Sequence, residues 1–285
     1  MINRLCIIGV GLIGGSLALS LKKSGSCQSV IGAGRNIDNL KKAQQLKIID
    51  EYTTDLAEAV KGADVIVVAV PLGAMPAVFE RIAPAIKDTA IITDVGSAKC
   101  SVIDEAKIKL AEKIDQFVPG HPIAGTEKSG AEAAFDSLYE NRRVILTPLK
   151  ENTVEDIDAV RVMWEATGAK VDEMEAAHHD LVLAGTSHLP HVLAFALVDC
   201  LNKVDDVDEI FKYAAGGFRD FTRIASSDPV MWRDICLKNS TAILAMMKNY
   251  QNEIDGLKKA IESSDEDALL KIFSDAKSAR DEFSM

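Results

Sequence analysis

The chain has 285 residues, close to twice an ordinary domain of about 150, so two domains are expected. With 48% apolar and 26% charged residues, its composition is that of a folded globular protein and excludes a disordered, collagenous or low-complexity chain. The formal net charge of −11, with no concentrated basic patch, excludes a nucleic-acid partner, although one local cluster of cations can still hold a small anionic substrate.

Five cysteines (Cys6, Cys27, Cys100, Cys200 and Cys236) are scattered and offer neither a CxxC pair nor a zinc spacing. Reduced thiols in a cytoplasmic protein without a metal are therefore expected. Residues 5–21, after Arg4, have the outline of a secretory signal, but glycines 9, 11, 14 and 15 dilute the stretch and belong to another motif. The apolar stretch 65–79 is broken by Pro71, Gly73 and Pro76, so no membrane span is expected there.

Up to about residue 174, β-branched runs at 5–8, 29–33, 65–70, 91–95, 117–118, 144–147 and 170–174 alternate with helical stretches. Uninterrupted apolar runs fit parallel strands buried on both faces, and strand–helix alternation predicts an α/β fold with a doubly wound sheet. From Glu175 the strands cease. Residues 175–201 read as one long apolar helix kinked at Pro190. Asp228-Pro229 opens a helix towards Asn239. Ser263, Ser264 and Asp265 start a terminal helix, amphipathic through Leu269, Leu270, Ile272 and Phe273. The expected architecture is a nucleotide-binding domain over 1–174 followed by an all-α domain over 175–285. The apolar surplus of that second half predicts a homodimer.

Gly9-Val10-Gly11-Leu12-Ile13-Gly14 directly follows the first strand and opens a helix. Gly9 allows the tight turn, Gly11 lets backbone approach a pyrophosphate, and Gly14 lets helix pack on strand. The pyrophosphate is expected on the helix N-terminus, beside Leu12 and Ile13. At the end of the second strand, Gly34 occupies the place of the acidic residue that binds ribose hydroxyls, and Arg35 follows it. A missing carboxylate beside a guanidinium favours a 2′-phosphate, so the lean is to NADP over NAD.

His121 lies in Gly120-His-Pro-Ile-Ala-Gly-Thr-Glu-Lys-Ser-Gly130, just after the run 117–118, which puts it at the carboxyl edge of the sheet. This segment closely resembles the signature of the prephenate and arogenate (cyclohexadienyl) dehydrogenases. The resemblance continues through GVGLIGGS at 9–16, DVGSAK at 94–99, SHLPH at 187–191, GGFRDFTRIA at 216–225, Asp228-Pro229 and Trp232. It implies a Rossmann-type domain joined to a helical dimerisation domain. By the same resemblance His121 is the catalytic histidine that bonds the ring hydroxyl, and Ser97 shares that bond. Arg223 holds a substrate carboxylate, and His191, Thr126 and Glu127 line or gate the pocket. Asp220 and Trp232 match positions near the dimer and active-site junction.

Such a substrate loses hydride from its carbinol carbon and then carbon dioxide, gaining aromaticity. A neutral histidine suffices to accept the hydroxyl proton, and an arginine fork suits the carboxylate. The alternatives are a β-hydroxyacid dehydrogenase, for which Lys238 is the faint candidate lysine, or an imine reductase, and a non-catalytic dinucleotide sensor. His178-His179 reads as the polar start of a helix, Met246-Met247 as core, and Asp205, Asp206, Asp208 and Glu209 as a solvated loop.

Overall fold

The computed structural model describes residues 1–205 and 207–283. The chain packs as two units, Met1–Ser240 and Thr241–Met285. In the first, strands β1 (Ile2–Ile8), β2 (Cys27–Ala33), β3 (Glu51–Thr53), β4 (Val65–Val68), β5 (Ile91–Asp94) and β6 (Phe117–Val118) form one parallel sheet in the order β3-β2-β1-β4-β5-β6. This is the strand order of the dinucleotide-binding Rossmann fold. Helices α1 (Leu12–Lys23), α2 (Ile37–Gln45), α3 (Leu56–Val60), α4 (Met75–Ile82) and α5 (Cys100–Lys109) make the crossovers. Side chains at their starts mark where two of them begin. Asn36 Oδ1 accepts from the N–H of Asp38 and of Asn39, and Asp55 Oδ1 from that of Ala57. Every residue of β4 is buried, as its unbroken Val-Ile-Val-Val run requires.

The expectation of a single sheet is corrected. Strands β7 (Gly120–Pro122), β8 (Arg143–Leu146) and β9 (Lys170–Glu173) form a second, three-stranded sheet, with β7 antiparallel and β9 parallel to β8. Helix α6 (Val154–Glu165) joins β8 to β9. His121 therefore does not trail off a strand into a loop. It is the central residue of β7, paired with Ile145.

Beyond β9 the chain is helical: α7 (Ala176–Leu183), α8 (Leu189–Leu201), α9 (Val207–Lys212), α10 (Gly216–Thr222), α11 (Pro229–Lys238), α12 (Ser240–Glu262) and α13 (Glu266–Phe283). The run Ala176–Leu201 is long and apolar enough to cross a membrane by length and composition. Yet it carries His179, Asp180 and His188, all buried in the protein. As expected it is one helical run, and its irregularity falls next to Pro190. A wider π-type turn over Ala184–His188 separates α7 from α8, and Pro190 sits in the first turn of α8. Proline has no N–H for the carbonyl four residues back, and its ring crowds that carbonyl, so the turn before it opens. Asp228 caps α11 as expected, its Oδ1 accepting from the Met231 N–H at 2.9 Å.

Two further expectations change. Met247 on α12 is exposed and Met246 only half-buried, so this pair is not core within the chain. Of the acidic run, Asp206 lies outside the described residues, while Glu209 stands exposed on the helix α9 rather than in a loop.

The two sheets are tied by a buried ion pair. Lys99 and Asp94 are both 0% exposed, and Lys99 Nζ donates to Asp94 Oδ2 at 2.5 Å and to the Gly120 carbonyl at 2.7 Å. Asp94 in turn accepts from the N–H of Gly96 (2.7 Å) and of Gly120 (3.1 Å). Removing one partner of such a pair leaves the other charge buried alone, which costs about 3–5 kcal/mol. Lys99→Met is accordingly expected to lower the urea midpoint strongly. A midpoint equal to that of the unmodified protein would show that the pair holds nothing together.

Candidate active site

The turn from β1 into α1 is shaped by close approach. Gly9 has φ +98°, and a Cβ there would lie 2.2 Å from the Ala69 carbonyl oxygen. A Cβ on Gly14 would meet the Gly9 carbonyl oxygen at 2.4 Å, so strand and helix pack closer than any side chain allows. Gly11 is the opposite case. Its Cβ would meet no atom within 4 Å, and no side chain caps the start of α1 at Leu12 and Ile13. Open space in front of free helix N–H groups is what a pyrophosphate needs, so these residues fit a dinucleotide.

The adjoining cleft, about 780 Å³, is lined by Gly9, Gly11, Gly34, Arg35, Arg81 and Asp234 among others. Neither Arg35 nor Arg81 has an ion-pair partner among the described residues, and both side chains are exposed. Asp234 on α11 accepts from the Gly73 N–H at 3.0 Å, tying the helical region to the segment after β4.

A chain of polar side chains lies beside the second sheet. His121 Nδ1 is 2.8 Å from His179 Nε2, and His179 Nδ1 is 2.8 Å from Asp180 Oδ1. Asp180 also accepts from the N–H of Lys99 (2.7 Å) and of Cys100 (2.9 Å) at the start of α5. Asn239 Nδ2 donates to the Asp180 carbonyl (2.8 Å) and lies 3.1 Å from His188 Nδ1. The amide nitrogen can only donate, so His188 Nδ1 accepts and its proton sits on Nε2. That Nε2 is buried, and neither it nor the buried indole nitrogen of Trp232 has a well-formed hydrogen bond among the described residues.

Burial sets the charge states. Desolvation, reinforced by the neighbouring His179, Lys99 and His188, holds His121 well below the ordinary histidine value of 6.5. Burial likewise lowers His179 against the opposing pull of Asp180, and takes His188 to about 4. Burial works to raise Asp180, but its bonds to His179 and to the two backbone N–H groups bring it below the usual carboxylate value. The cluster is thus neutral imidazoles around one carboxylate.

The other residues singled out in the sequence are distributed unevenly. His191 on α8 stacks on Trp232 of α11, centroids 3.9 Å apart and planes 20° from parallel. Ser97 shares no hydrogen bond with His121: the Nδ1 partner of His121 is His179, and the Ser97 backbone lies against His188. Thr126 and Glu127 stand exposed after β7, and Arg223, just past α10, approaches Glu127 with Nη1 3.9 Å from Oε2. The Arg223 side chain is 65% exposed, so it is not half of a buried pair. Arg219 and Asp220 are exposed on α10. Lys238 is engaged with Glu105 at 3.2 Å.

Sequence reasoning missed His179, Asp180, His188 and Asn239 as members of the site, and assigned no role to Lys99. His179 and Asp180 are adjacent, so no spacing marks them. Lys99 carried a signal as the last residue of the DVGSAK motif, and His188 as the second residue of SHLPH.

Residues 17–173 match the family model described as prephenate dehydrogenase, nucleotide-binding domain, and residues 175–275 match that described as prephenate dehydrogenase, dimerization domain. The chain is 39% identical to cyclohexadienyl dehydrogenase of Zymomonas mobilis, across 98% of this chain and 95% of that one. It is 38% identical to prephenate dehydrogenase of Bacillus subtilis, across 99% and 76%. The crystal structure of prephenate dehydrogenase from Aquifex aeolicus with hydroxyphenyl propionate and NAD+ superposes with a TM-score of 0.92 at 38% identity, covering 99% of both chains. Pyrroline carboxylate reductase of Plasmodium falciparum, at 13% identity and a TM-score of 0.52, shares the fold alone. Likeness of this extent, running through both halves of the molecule, means that the chain belongs to the prephenate dehydrogenase family.

Proposed function

We infer that this chain is a nicotinamide-dinucleotide-dependent dehydrogenase that oxidatively decarboxylates prephenate or arogenate, to 4-hydroxyphenylpyruvate or tyrosine. The observation that carries the reading is His121. It is buried and neutral on β7, immediately beyond the dinucleotide-binding sheet, in a chain 38% identical to the Aquifex enzyme crystallised with NAD+ and hydroxyphenyl propionate.

The residues of the Gly9–Gly14 turn would hold the dinucleotide, which when bound supplies the hydride acceptor. His121 accepts the ring hydroxyl proton as the carbinol carbon is oxidised. Loss of carbon dioxide then returns its bonding pair to the ring, and His121 gives the proton back to the phenolate oxygen. Ser97 lies beside this chemistry on the segment after β5. Arg223 holds a substrate carboxylate in exchange for its loose contact with Glu127, while His191 and Thr126 border the pocket. Arg35 and Arg81, the unpaired cations of the cleft, favour the 2′-phosphate of NADP.

The nucleotide is held within 1–174, and 175–285 completes the substrate pocket and pairs two copies in the cytoplasm. Free cysteines and the dimerization-domain match support this assignment, as do Leu244, Met247, Tyr250 and Ile254, exposed along α12.

Three outcomes test these assignments. Initial rates should give kcat/KM for NADP at least equal to that for NAD. Gly34→Asp should reverse the preference by repelling the 2′-phosphate, and it should fold, because its Cβ meets nothing nearer than Leu40 at 4.0 Å. A strong native preference for NAD would overturn the role given to Arg35.

His121→Asn should lower kcat by about 10²–10⁴-fold with little change in dinucleotide affinity. Protonated imidazole cannot accept, and the His121 value lies below 6.5, so activity should be level above about pH 6.5 and fall only on the acid side. Full activity in His121→Asn would remove it from the chemistry.

Arg223→Ala should raise KM for the carboxylate substrate by about tenfold or more and leave KM for the dinucleotide nearly unchanged. Arg223→Lys should recover only part, because an ammonium cannot make the paired fork, and Arg219→Ala should do much less. A larger effect from Arg219→Ala would transfer the carboxylate site to that residue.

A further inference from the structure

We propose that Asp180 and His179 are positioning residues that fix His121 in a single tautomer, its proton on Nδ1 and its lone pair on Nε2. The assignment follows from the direction of each hydrogen bond. Asp180 Oδ1 already accepts the Lys99 N–H at 2.7 Å, and a carboxylate oxygen only accepts, so the 2.8 Å contact with His179 is donated by His179 Nδ1. A neutral His179 with its proton on Nδ1 has a bare Nε2. The 2.8 Å contact between that Nε2 and His121 is therefore donated by His121 Nδ1. The only lone pair left on the His121 ring is on Nε2, which has no partner among the described residues.

The order of the chain depends on its anchored end. Asp180 is bound through both oxygens at the N-terminus of α5, where backbone N–H groups and the helix dipole stabilise an anion. It is held below the ordinary carboxylate value, and so stays an acceptor through neutral pH. His179 is 0% exposed and His121 8% exposed, so water does not compete for these bonds. The neighbouring Lys99 ammonium adds a constraint: it disfavours a resting imidazolium on either ring.

In turnover, on the reading given above, the O–H bond of the ring hydroxyl breaks and its proton forms an N–H bond at His121 Nε2. The O–H bonding pair becomes the new carbonyl bond as the carbinol C–H pair leaves as hydride to the oxidised nicotinamide. The imidazolium so formed keeps its Nδ1–H directed at His179 Nε2. Its charge is shared along the chain towards Asp180, and the proton returns to the phenolate at the end. An unfixed His121 would spend part of its time with the proton already on Nε2, where it blocks acceptance. Fixing the tautomer is thus an effect on kcat rather than on binding.

The experiment combines spectroscopy and kinetics on the full chain. With ¹⁵N-labelled histidine, long-range ¹H–¹⁵N spectra assigned through His121→Asn should show His121 in the Nδ1–H form. His179→Leu, which offers no acceptor, should lose that preference and lower kcat by about 10- to 10³-fold, with KM for both substrates within about threefold of native. His179→Gln carries a carbonyl oxygen near the place of Nε2, so it should regain the tautomer and most of the rate. An Nε2–H form of His121 in the native protein would overturn the proposal whether or not the leucine variant folds. So would a native rate in His179→Leu while His121→Asn is inactive, or a leucine variant that gives the same spectrum. Full activity in His121→Asn would instead overturn the catalytic role of His121 and leave the tautomer measurement standing.

Discussion

A single lysine ammonium with no access to water organises this molecule. Lys99 is 0% exposed, and burial pushes its pKa down while Asp94 pulls it back up. Its side chain joins the end of β5 to the start of β7 through Asp94 and the Gly120 carbonyl, and its own N–H holds Asp180. One residue thus fixes the strand that carries His121 and the carboxylate that orients it. Burying such a pair brings little net stability over an apolar substitute. Its value lies in geometry, because each of its hydrogen bonds is satisfied in only one arrangement of the two sheets.

The same enclosure explains why the site gathers histidines rather than a stronger base. Desolvation lowers His121, His179, His188 and His191 together, so each is an uncharged acceptor and donor near neutrality. The reaction gains aromaticity, so it needs a proton acceptor in the right place more than a potent one. A crowded neutral cluster with one anchored anion meets that need.

How much of this was legible in the sequence depends on distance along the chain. Strands such as β4 were readable because burial on both faces demands an apolar run. Strand β7 was not, since Gly120-His121-Pro122 has none of the residues strands prefer. It forms at the edge of its small sheet, where a proline is tolerated. The nucleotide turn is local, and its glycines announced it. His121 could be read because it sits in a long, specific segment, whereas His179 looked like the polar start of a helix and Asp180 drew no reading at all. Their function exists only because α7 packs against the start of α5, a contact between residues 80 or more positions apart that no local pattern records. Arg223 was legible as a residue but not in its setting, since exposure is decided by what the rest of the chain leaves uncovered.

The π-type turn over Ala184–His188 acts as a change of phase. In a regular helix each residue advances about 100°, so His179 and His188, nine positions apart, would point in nearly opposite directions. Each residue of the wider turn advances less, and the deficit swings His188 back towards the side of His179. One amide, that of Asn239, can then reach both the Asp180 carbonyl and the His188 ring. The proline that loosens the backbone thereby sets the angular register of the histidines. The apolar composition of this stretch can drift freely, while its length in residues cannot.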